Sequence, residues 1–473
     1  MVTLNVDAIR MNTNINVLER INASFRVDAR LVFEDIATYR VHAEVLCDAG
    51  ILTSTDLSRI EIAFVEIKQE LAGTFPTGNF DDVHEWVDAS LRARIGKLAG
   101  TLQAARARND QAVTDLKLYV RRASVKVMRT LLALVNEFGV KANLHVDTVM
   151  PGFTHTQKAQ PITFGFYCAA FAETFLRDIK RLLSFTSLMD ECPLGAGAIA
   201  GVSFPIDRHL AANRLGFSRP TRNALDAVAS RDFALDFQYA CLSIGLNLSR
   251  FAEDVVVWTS QPFDMVHLPD HLVTTSSIMP HKRNPDAAQI LRSKSGRLAG
   301  NFHTLAMVLK GLAPAYAKDL QEDKEAVFDS MDTVIDCLEV ARILVEGLQP
   351  KPDSMLRHAA SDFCTSTDFV DLLVRERGLP FDEAHHYVTA LVKEATKRKC
   401  SLGQLPTDVI RRTTGFEPPH DWASLDDPRV AVRLKSCFGG CAAHRVREAL
   451  LGLQEDSAFI ESAINNIKLE SEA

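Results

Sequence analysis

The feature that most constrains this chain is an apolar seam of helical period between residues 237 and 258. Large apolar residues recur there at alternating intervals of four and three positions, which places them on one face of an α-helix. A seam of this kind packs against neighbouring helices that run nearly antiparallel to it, as in a helix bundle. The seam consists of Phe237, Cys241, Ile244, Leu248, Phe251, Val255 and Trp258.

Three further segments repeat this pattern, and we find no run of alternating apolar and polar residues that would indicate strands. We therefore predict an all-α chain with a long-helix bundle at its centre. Apolar residues on more than one face of such helices exceed what one chain can cover, so we also expect self-association. The three segments contain Leu116, Val120, Ala123, Val127, Leu131 and Leu134; Phe171, Phe175, Ile179 and Leu182; and Met331, Val334, Leu338, Ala341 and Val345.

At 473 residues the chain is too long for one compact core, and two or three domains are expected. The first part has the pattern of short helices broken by turns, and helices shorten again after the Pro-Lys-Pro segment at residues 350–352. We place an N-terminal helical domain at residues 1–105, a central bundle domain at residues 106–352 and a C-terminal helical domain at residues 353–473.

A net charge of −7 disfavours binding to a nucleic-acid backbone, because proteins that bind it are usually basic. No segment contains an uninterrupted apolar run long enough for a membrane span, and the first residues lack the pattern of a secretory signal. The nine cysteines show no framework of close spacings, which fits a reducing compartment. We therefore expect a soluble, cytoplasmic protein with no nucleic-acid or membrane partner.

The most unusual stretch is residues 274–285, Thr-Thr-Ser-Ser-Ile-Met-Pro-His-Lys-Arg-Asn-Pro. Four consecutive hydroxyl side chains favour a loop or a cap over a helix interior. Pro280 and Pro285 interrupt regular pairing, and cationic and amide side chains follow the hydroxyls closely. From composition alone, a solvated loop is as good an interpretation as a functional one.

Three other blocks accompany this stretch. They are residues 106–111 (Arg-Ala-Arg-Asn-Asp-Gln), residues 150–161 (Met-Pro-Gly-Phe-Thr-His-Thr-Gln-Lys-Ala-Gln-Pro) and residues 316–325 (Tyr-Ala-Lys-Asp-Leu-Gln-Glu-Asp-Lys-Glu). In this order the four blocks resemble the fumarase/aspartase superfamily, and most closely its argininosuccinate lyase family. The resemblance implies a three-domain helical fold and a homotetramer whose central helices form a shared core. It also implies active sites drawn from three subunits, and reversible cleavage of argininosuccinate to arginine and fumarate by anti β-elimination.

Removing a proton from carbon beside a carboxylate needs a strong base and fixed positive charge where the dianion develops. A serine can be that base only where amides and a cation stabilise its oxyanion, and backbone N–H groups of this loop could converge on Ser276. By resemblance, Ser276 is the base, Lys282 helps to hold the developing charge, and His155 helps to protonate the leaving nitrogen. No cofactor and no metal is implied.

The resemblance also implies a set of substrate-binding residues. A cation beside an amide, as in Arg108 and Asn109, suits a dicarboxylate. Taken alone, some members have ordinary interpretations, such as a helix cap for Ser24 and a solvated helix face for Lys324. The implied set is Ser24, Arg108, Asn109, Thr154, Ser277, Asn284, Tyr316, Gln321 and Lys324.

Two local expectations follow from the same blocks. We expect Asp110 to orient the turn that carries Arg108 and Asn109 rather than to contact substrate. We interpret Pro151-Gly152 as a turn that places His155 on a well-defined loop.

The chain departs from the family pattern in several places. Gln289 stands where the family usually has a glutamate that partners the histidine, and a neutral amide cannot pair with an imidazolium as a carboxylate can. Gln103-Ala104, Ala107 and Thr275 also differ from the usual residues. Two alternatives therefore stay open: a related lyase of another N-substituted aspartate, of the ethylenediamine-disuccinate type, and a non-catalytic structural tetramer.

Overall fold

The structure, a computed structural model, describes residues 17–469. Helices dominate it, as the apolar periodicity predicts, and residues 17–22 are helical too. The other helices are α1 (Phe25–Asp28), α2 (Val32–Asp48), α3 (Ser54–Leu71), α4 (Val83–Ile95), α5 (Leu98–Thr101), α6 (Arg108–Leu144), α7 (Phe164–Leu188), α8 (Arg208–Arg214), α9 (Ala224–Ala229), α10 (Asp232–Thr259), α11 (Asp286–Leu309), α12 (Asp323–Gly347), α13 (Pro352–Ala359), α14 (Ser366–Arg377), α15 (Phe381–Arg398), α16 (Thr407–Thr414), α17 (Pro428–Leu434) and α18 (Ala443–Asn465).

Short strands and 3₁₀ turns connect these helices. Strand β1 pairs antiparallel with β2, β3 parallel with β4, β5 antiparallel with β8, and β6 antiparallel with β7. The 3₁₀ turns are Ala29–Leu31, Asp270–Leu272, Lys318–Glu322 and Ala423–Asp426. The strands are β1 (Val149–Thr154), β2 (Gln157–Thr163), β3 (Glu191–Cys192), β4 (Arg219–Pro220), β5 (Val266–His267), β6 (Thr274–Thr275), β7 (Arg283–Asn284) and β8 (Gln349–Pro350).

The long helices α6, α7, α10, α11 and α12 form the predicted bundle. Helices α6 and α10 run in the same direction. Near one end the Lys117 ammonium lies 5.4 Å from the centre of the Phe233 ring, and near the other the rings of Phe138 and Phe251 lie 5.1 Å apart. Every residue of the predicted seam is at most 4% exposed, so the seam prediction is confirmed.

Helix α11 runs antiparallel to α10. The rings of Tyr239 and Phe302 lie 6.4 Å apart near one end, and Arg292 pairs with Glu253 near the other. Helix α12 then returns in the direction of α6, because the Lys141 ammonium near the end of α6 donates to backbone carbonyls at the end of α12. We call the end of the bundle where α6 begins the Arg108 end, and the end where α6 stops and β1–β2 follows the hairpin end.

Helix α11 buries only one narrow stripe. Its buried residues are Ala288, Leu291, Leu298 and Leu305. Its outer face includes Ile290 and Met307, which are 55% and 62% exposed. A helix of a closed single-chain bundle would normally bury a wider apolar face.

The C-terminal part contains a core of its own, in which Phe369, Leu373, Leu391 and Trp422 are buried. The last helix, α18, instead packs on the bundle, where its apolar residues belong to the main core. The three predicted domain boundaries remain a prediction. Among residues 17–469, no helix combines the length and the apolar character that crossing a bilayer requires.

Candidate active site

The predicted site residues at the Arg108 end are organised around the buried carboxylate of Asp110. One oxygen accepts the backbone N–H of Ala107 at 2.9 Å, and the other accepts those of Gly195 and Gly197 at 2.9 and 2.8 Å. Burial raises the pKa of Asp110 to about 6, and the three N–H donors oppose that rise. Asp110 thus joins the start of α6 to the turn at residues 193–198, in agreement with the orienting role expected from sequence.

That arrangement places Arg108 and Asn109 at the first turn of α6. The Asn109 amide donates to the carbonyl of Ala198 at 3.0 Å. The Arg108 guanidinium lies 3.7 Å from the carboxylate of Asp82, and Arg108 remains exposed. A fixed amide beside an exposed guanidinium is suited to binding a carboxylate.

Ser24 lies at the same end, immediately before α1. Its hydroxyl donates to Asp28 at 2.5 Å, and the other oxygen of Asp28 accepts the backbone N–H of Val83 at 2.9 Å. Burial raises the pKa of Asp28 to about 6, against the lowering effects of the Ser24 hydrogen bond and the Lys324 charge. Asp28 therefore fixes Ser24 relative to the start of α4.

The segment from Tyr316 to Lys324 contributes a charged cluster to this end. Asp323 accepts the guanidinium of Arg231 at 2.6 Å and the ammonium of Lys324 at 2.9 Å, and all three side chains are at most 7% exposed. Burial alone would raise the pKa of Asp323, but the charges of Lys324 and Arg231 outweigh it and hold that pKa below its ordinary value. Two cations share one carboxylate, so these three residues carry one net positive charge.

Tyr316 and Gln321 lie beside that cluster. Burial raises the pKa of Tyr316, and the charge of Lys324 opposes the rise. The Gln321 amide donates to the carbonyl of Asn22 at 2.8 Å and so connects this segment to the chain that precedes Ser24. Lys324 is buried rather than part of a solvated helix face, so that ordinary interpretation of it was wrong.

At the hairpin end, residues 274–285 contain the short paired strands β6 and β7 and the loop of residues 276–282 between them. Thr274 pairs with Asn284 and Thr275 with Arg283. The Arg283 guanidinium donates to Asp270 at 2.6 Å and to the carbonyl of Leu268 at 2.8 Å, which fixes the base of the loop.

Within this loop, backbone N–H groups converge on Ser276, as the sequence predicts. Its hydroxyl oxygen accepts the N–H of Ile278 at 3.2 Å and that of Met279 at 3.0 Å. Two N–H dipoles directed at one hydroxyl oxygen would stabilise its deprotonated form. The loop contains the side chains of Ser277 and Lys282, which are exposed, and that of Asn284, which is partly exposed.

The β1–β2 hairpin carries Thr154 and His155 at its tip. Thr154 pairs with Gln157, so His155 and Thr156 form a two-residue turn, with φ of 52° and 60°. Positive φ at both central positions defines a type I′ turn, which usually contains asparagine, aspartate or glycine. A histidine here is held in an unfavourable backbone conformation, which is typical of functional turns.

The interpretation of Pro151-Gly152 as the turn before His155 was wrong. Both residues lie within β1, where the pairing register shifts between Pro151 and Phe153. A Cβ on Gly152 would lie 3.0 Å from the carbonyl oxygen of Gln160, a tight contact, so the close approach of the two strands favours glycine.

The two groups of site residues lie at opposite ends of one chain. Helix α6 contains 37 residues. It therefore spans about 55 Å at 1.5 Å per residue. The Arg108 end contains Ser24, Arg108, Asn109, Tyr316, Gln321 and Lys324, and the hairpin end contains Thr154, His155, Ser276, Ser277, Lys282 and Asn284.

Sequence reasoning missed a buried polar cluster near the N-terminus of α6. The His84 imidazole lies 2.8 Å from Asp35 and 3.5 Å from Asp115, and the ligand atoms of all three lie within 4.8 Å of one another. Burial raises the pKa of both carboxyls. Thr38 donates to Asp115 and Gln111 donates to Asp35, so the cluster is a hydrogen-bonded network that joins α2, α4 and α6. No local spacing indicates it, because its members come from three separate helices.

Comparisons with known protein families and with individual relatives point to the same family. Residues 11–300 match the lyase family, and residues 363–432 match the argininosuccinate lyase C-terminal family. An argininosuccinate lyase of Chelativorans sp. (strain BNC1) is 42% identical over 433 residues, which cover 91% of each chain. An argininosuccinate lyase of Hyphomonas neptunium is 44% identical over 392 residues, covering 82% of this chain and 84% of that one.

Among solved structures, EDDS lyase in complex with formate is similar, with a TM-score of 0.84 at 25% identity. The match covers 93% of this chain and 89% of that chain. The predicted all-α lyase fold is confirmed by this likeness, and the predicted family by the two relatives. This chain belongs to the argininosuccinate lyase family.

Proposed function

We propose that this chain is a carbon–nitrogen lyase that cleaves argininosuccinate to arginine and fumarate by reversible anti β-elimination. The observation that carries the proposal is the hydroxyl of Ser276, which accepts two backbone N–H groups in a loop that also contains Lys282. The family relationship supports the choice of substrate, because the two relatives at 42% and 44% identity are argininosuccinate lyases.

In the proposed mechanism, deprotonated Ser276 removes a proton from the carbon beside a carboxylate. The N–H groups of Ile278 and Met279 stabilise the serine oxyanion before the transfer. Lys282 and Asn284 hold the carboxylate while it becomes a dianion. The carbon–nitrogen bond then breaks, its electron pair stays on nitrogen, and His155 supplies the proton that completes arginine.

The Arg108 end supplies the substrate-binding groups in this proposal. Arg108 and Asn109 bind a carboxylate of the succinyl half, together with Thr154 and Ser277 of the hairpin end. The amino-acid end is bound by Ser24, Tyr316, Gln321 and Lys324. The net positive charge shared by Arg231, Asp323 and Lys324 supports a carboxylate ligand there.

We propose a homotetramer, in which each site combines the Arg108 end of one copy with the hairpin end of others. Support comes from the length of α6, about 55 Å, because Arg108 and Ser276 of one chain lie at opposite ends of the bundle that this helix spans. Further support comes from the exposed apolar side chains on the bundle helices, namely Tyr239, Leu246, Ile290 and Met307. We also propose a cytoplasmic location, which the scattered spacing of nine cysteines supports.

The first experiment follows fumarate release by ultraviolet absorbance when purified protein receives argininosuccinate. Release by the wild type and its loss in Ser276→Ala would support the proposal. A second arm offers fumarate with ethylenediamine, because the similar EDDS lyase structure and Gln289 keep that chemistry as the second candidate. No fumarate release from argininosuccinate, together with consumption of fumarate in the presence of the diamine, would favour that candidate. The absence of activity in both arms would favour a structural tetramer.

A mixing experiment tests the composite site. Ser276→Ala and Lys324→Met each damage a different end, so their co-assembly restores intact sites only if the two ends come from different copies. Random mixing would give about one quarter of sites both wild-type residues. Activity is compared at a substrate concentration well below the KM of Lys324→Met. Co-expressed variants that are then no more active than the mean of the two variants alone would contradict the shared site.

A further inference from the structure

The base of the β1–β2 hairpin is embedded in the C-terminal part of the chain. Val149 packs in an apolar cluster with Ala359, Val432 and Cys441, and Ile162 packs against it. This contact holds the base, several residue pairs away from the tip. Because an isolated two-stranded ribbon is only marginally stable in water, the tip needs contacts of its own.

The pair immediately below the tip provides such contacts. Phe153 lies opposite Lys158, so both side chains point to the same face of the hairpin. The Phe153 ring lies 5.9 Å from that of Phe263, and the Phe263 ring stacks on His358 at 6.5 Å. The His358 Nε2 also lies 2.8 Å from the Phe263 carbonyl.

Lys158 makes the polar contacts on this face. Its ammonium donates to the hydroxyl of Ser361 at 2.6 Å and to the carboxylate of Asp362 at 2.7 Å. Ser361 in turn donates to the carbonyl of His358 at 2.9 Å, which connects the polar and aromatic contacts. The hydrogen bond from Lys158 holds the pKa of Asp362 below its ordinary value.

The hairpin tip and the segment that Lys158 contacts both have unusual backbone conformations. Asp362 and Phe363 have φ of 56° and 59°, and at the tip His155 and Thr156 have φ of 52° and 60°. None of the four is glycine, so each conformation has an energetic cost that surrounding contacts must offset. The Lys158 contact joins these two unfavourable segments.

We propose that Lys158 is a positioning residue for His155: its ion pair with Asp362 and hydrogen bond to Ser361 fix the hairpin tip on the C-terminal part of the chain. This inference rests on the proposed function, because His155 is the proposed proton donor. Fixing the tip sets the distance from the imidazole to the leaving nitrogen, and small errors in such distances reduce the rate of the chemical step.

The test compares Lys158→Met with Lys180→Met. Lys180 also makes a 2.6 Å ion pair, with Asp456, and that pair joins α7 to α18 without contact to the hairpin. Asp362 is 70% exposed in its side chain, so it can be solvated after Lys158 is removed and the fold is expected to persist. Equal melting temperatures of the two variants check this.

The first readout is steady-state fumarate release by the full-length oligomer. We expect Lys158→Met to lower kcat by about threefold to tenfold and to leave KM within about twofold, because all the proposed substrate-binding residues except Thr154 lie away from the hairpin tip. Lys180→Met should match the wild type. Lys158→Arg should recover most of kcat, since a guanidinium can also bond Asp362 and Ser361.

The second readout is hydrogen exchange of the backbone amides in residues 149–163, which needs no activity. Exchange should be about twofold to fivefold faster in Lys158→Met than in Lys180→Met. Equal exchange in the two variants would overturn the inference even if the wild type does not cleave argininosuccinate. Faster exchange with an unchanged kcat in an active protein would also overturn it, because the contact would then be structural only. An inactive wild type with faster exchange in Lys158→Met would contradict the proposed function, but it would support the conclusion that Lys158 fixes the hairpin.

Discussion

The two ends of the bundle differ in how their functional side chains are held. At the Arg108 end, Asp28, Asp110 and Asp323 are buried, and each forms two or three hydrogen bonds or ion pairs, at least one of them with a distant segment of the chain. At the hairpin end, His155 and Lys282 are exposed. The side chains of the first end are thus held in place by contacts within the chain, whereas the second carries the proposed reactive groups on a loop and a turn.

In the proposed mechanism, this difference separates substrate binding from the chemical step. Buried, paired charges cost free energy to assemble and keep their geometry, which suits selective binding. Exposed groups lack the low-dielectric surroundings in which electrostatic stabilisation is strong, so we expect the hairpin end to become effective only when another copy covers it. Substitutions at the two ends should therefore change different kinetic parameters.

The largest effect is expected from Ser276→Ala at the hairpin end. Removing the base should lower kcat by about 10²-fold to 10⁴-fold with KM nearly unchanged, since the Arg108 end still binds substrate. Steady-state fumarate release measures both parameters. Ser293→Ala is a matched control on α11, where the Ser293 hydroxyl donates to the carbonyl of Ile290. Full activity of Ser276→Ala would remove Ser276 from the mechanism.

A smaller effect, on KM rather than kcat, is expected from Lys324→Met at the Arg108 end. Hydrogen bonds to charged groups contribute about 1.5–3 kcal/mol, so KM should rise by about 10-fold to 150-fold. Asp323 keeps its ion pair with Arg231, which should preserve the fold. Lys310→Met, an exposed lysine after α11, serves as the control. A fall in kcat at constant KM would contradict the assignment of this end to binding.

The buried carboxyl of Asp28 should give the Arg108 end a measurable pH dependence of stability. Its folded pKa of about 6 exceeds the ordinary value of 3.8, so its contribution is fully present below 3.8 and is lost as pH rises through 6. Between these values the wild type should lose about 1.4 kcal/mol of unfolding free energy per pH unit relative to Asp28→Asn. Urea denaturation of both proteins across this range measures the slope. Parallel curves would place the pKa of Asp28 at its ordinary value.

The smallest effect is expected from Gln289→Glu at the hairpin end. Gln289 is exposed in the first turn of α11, where a carboxylate gains about 0.3–1 kcal/mol from the helix dipole. If this position partners His155 of the assembled site, the carboxylate should raise kcat about twofold to fivefold. Gln289→Met controls for loss of the amide. Equal rates for glutamate and methionine would show that another group supports His155.

Much of the fold could be predicted because apolar period is a local property. Phe237 and Trp258 lie on one buried seam as expected, and Ser276 accepts N–H groups from residues two and three positions away. Contacts within a loop or a helix follow from neighbouring residues. The residues of a short motif are therefore enough to predict its local geometry.

Features that depend on distant segments could not be predicted. The β1–β2 hairpin follows a short, irregular pattern with a register shift, and its turn uses His155 and Thr156 instead of glycine. The network of Asp35, His84 and Asp115 joins three helices, and each member lies among ordinary helical residues. Arg231 was missed for the same reason, since its partner Asp323 follows it by 92 positions.

The narrow buried stripe of α11 affects how the protein responds to dilution. Only four side chains of this helix are buried within one chain, so on the proposed assembly the rest of its apolar surface is covered by other copies. Activity per chain then follows the association equilibrium and falls once the protein is diluted below the dissociation constant, at any substrate concentration. A cell that makes half as much of the protein near that concentration would lose more than half of the activity.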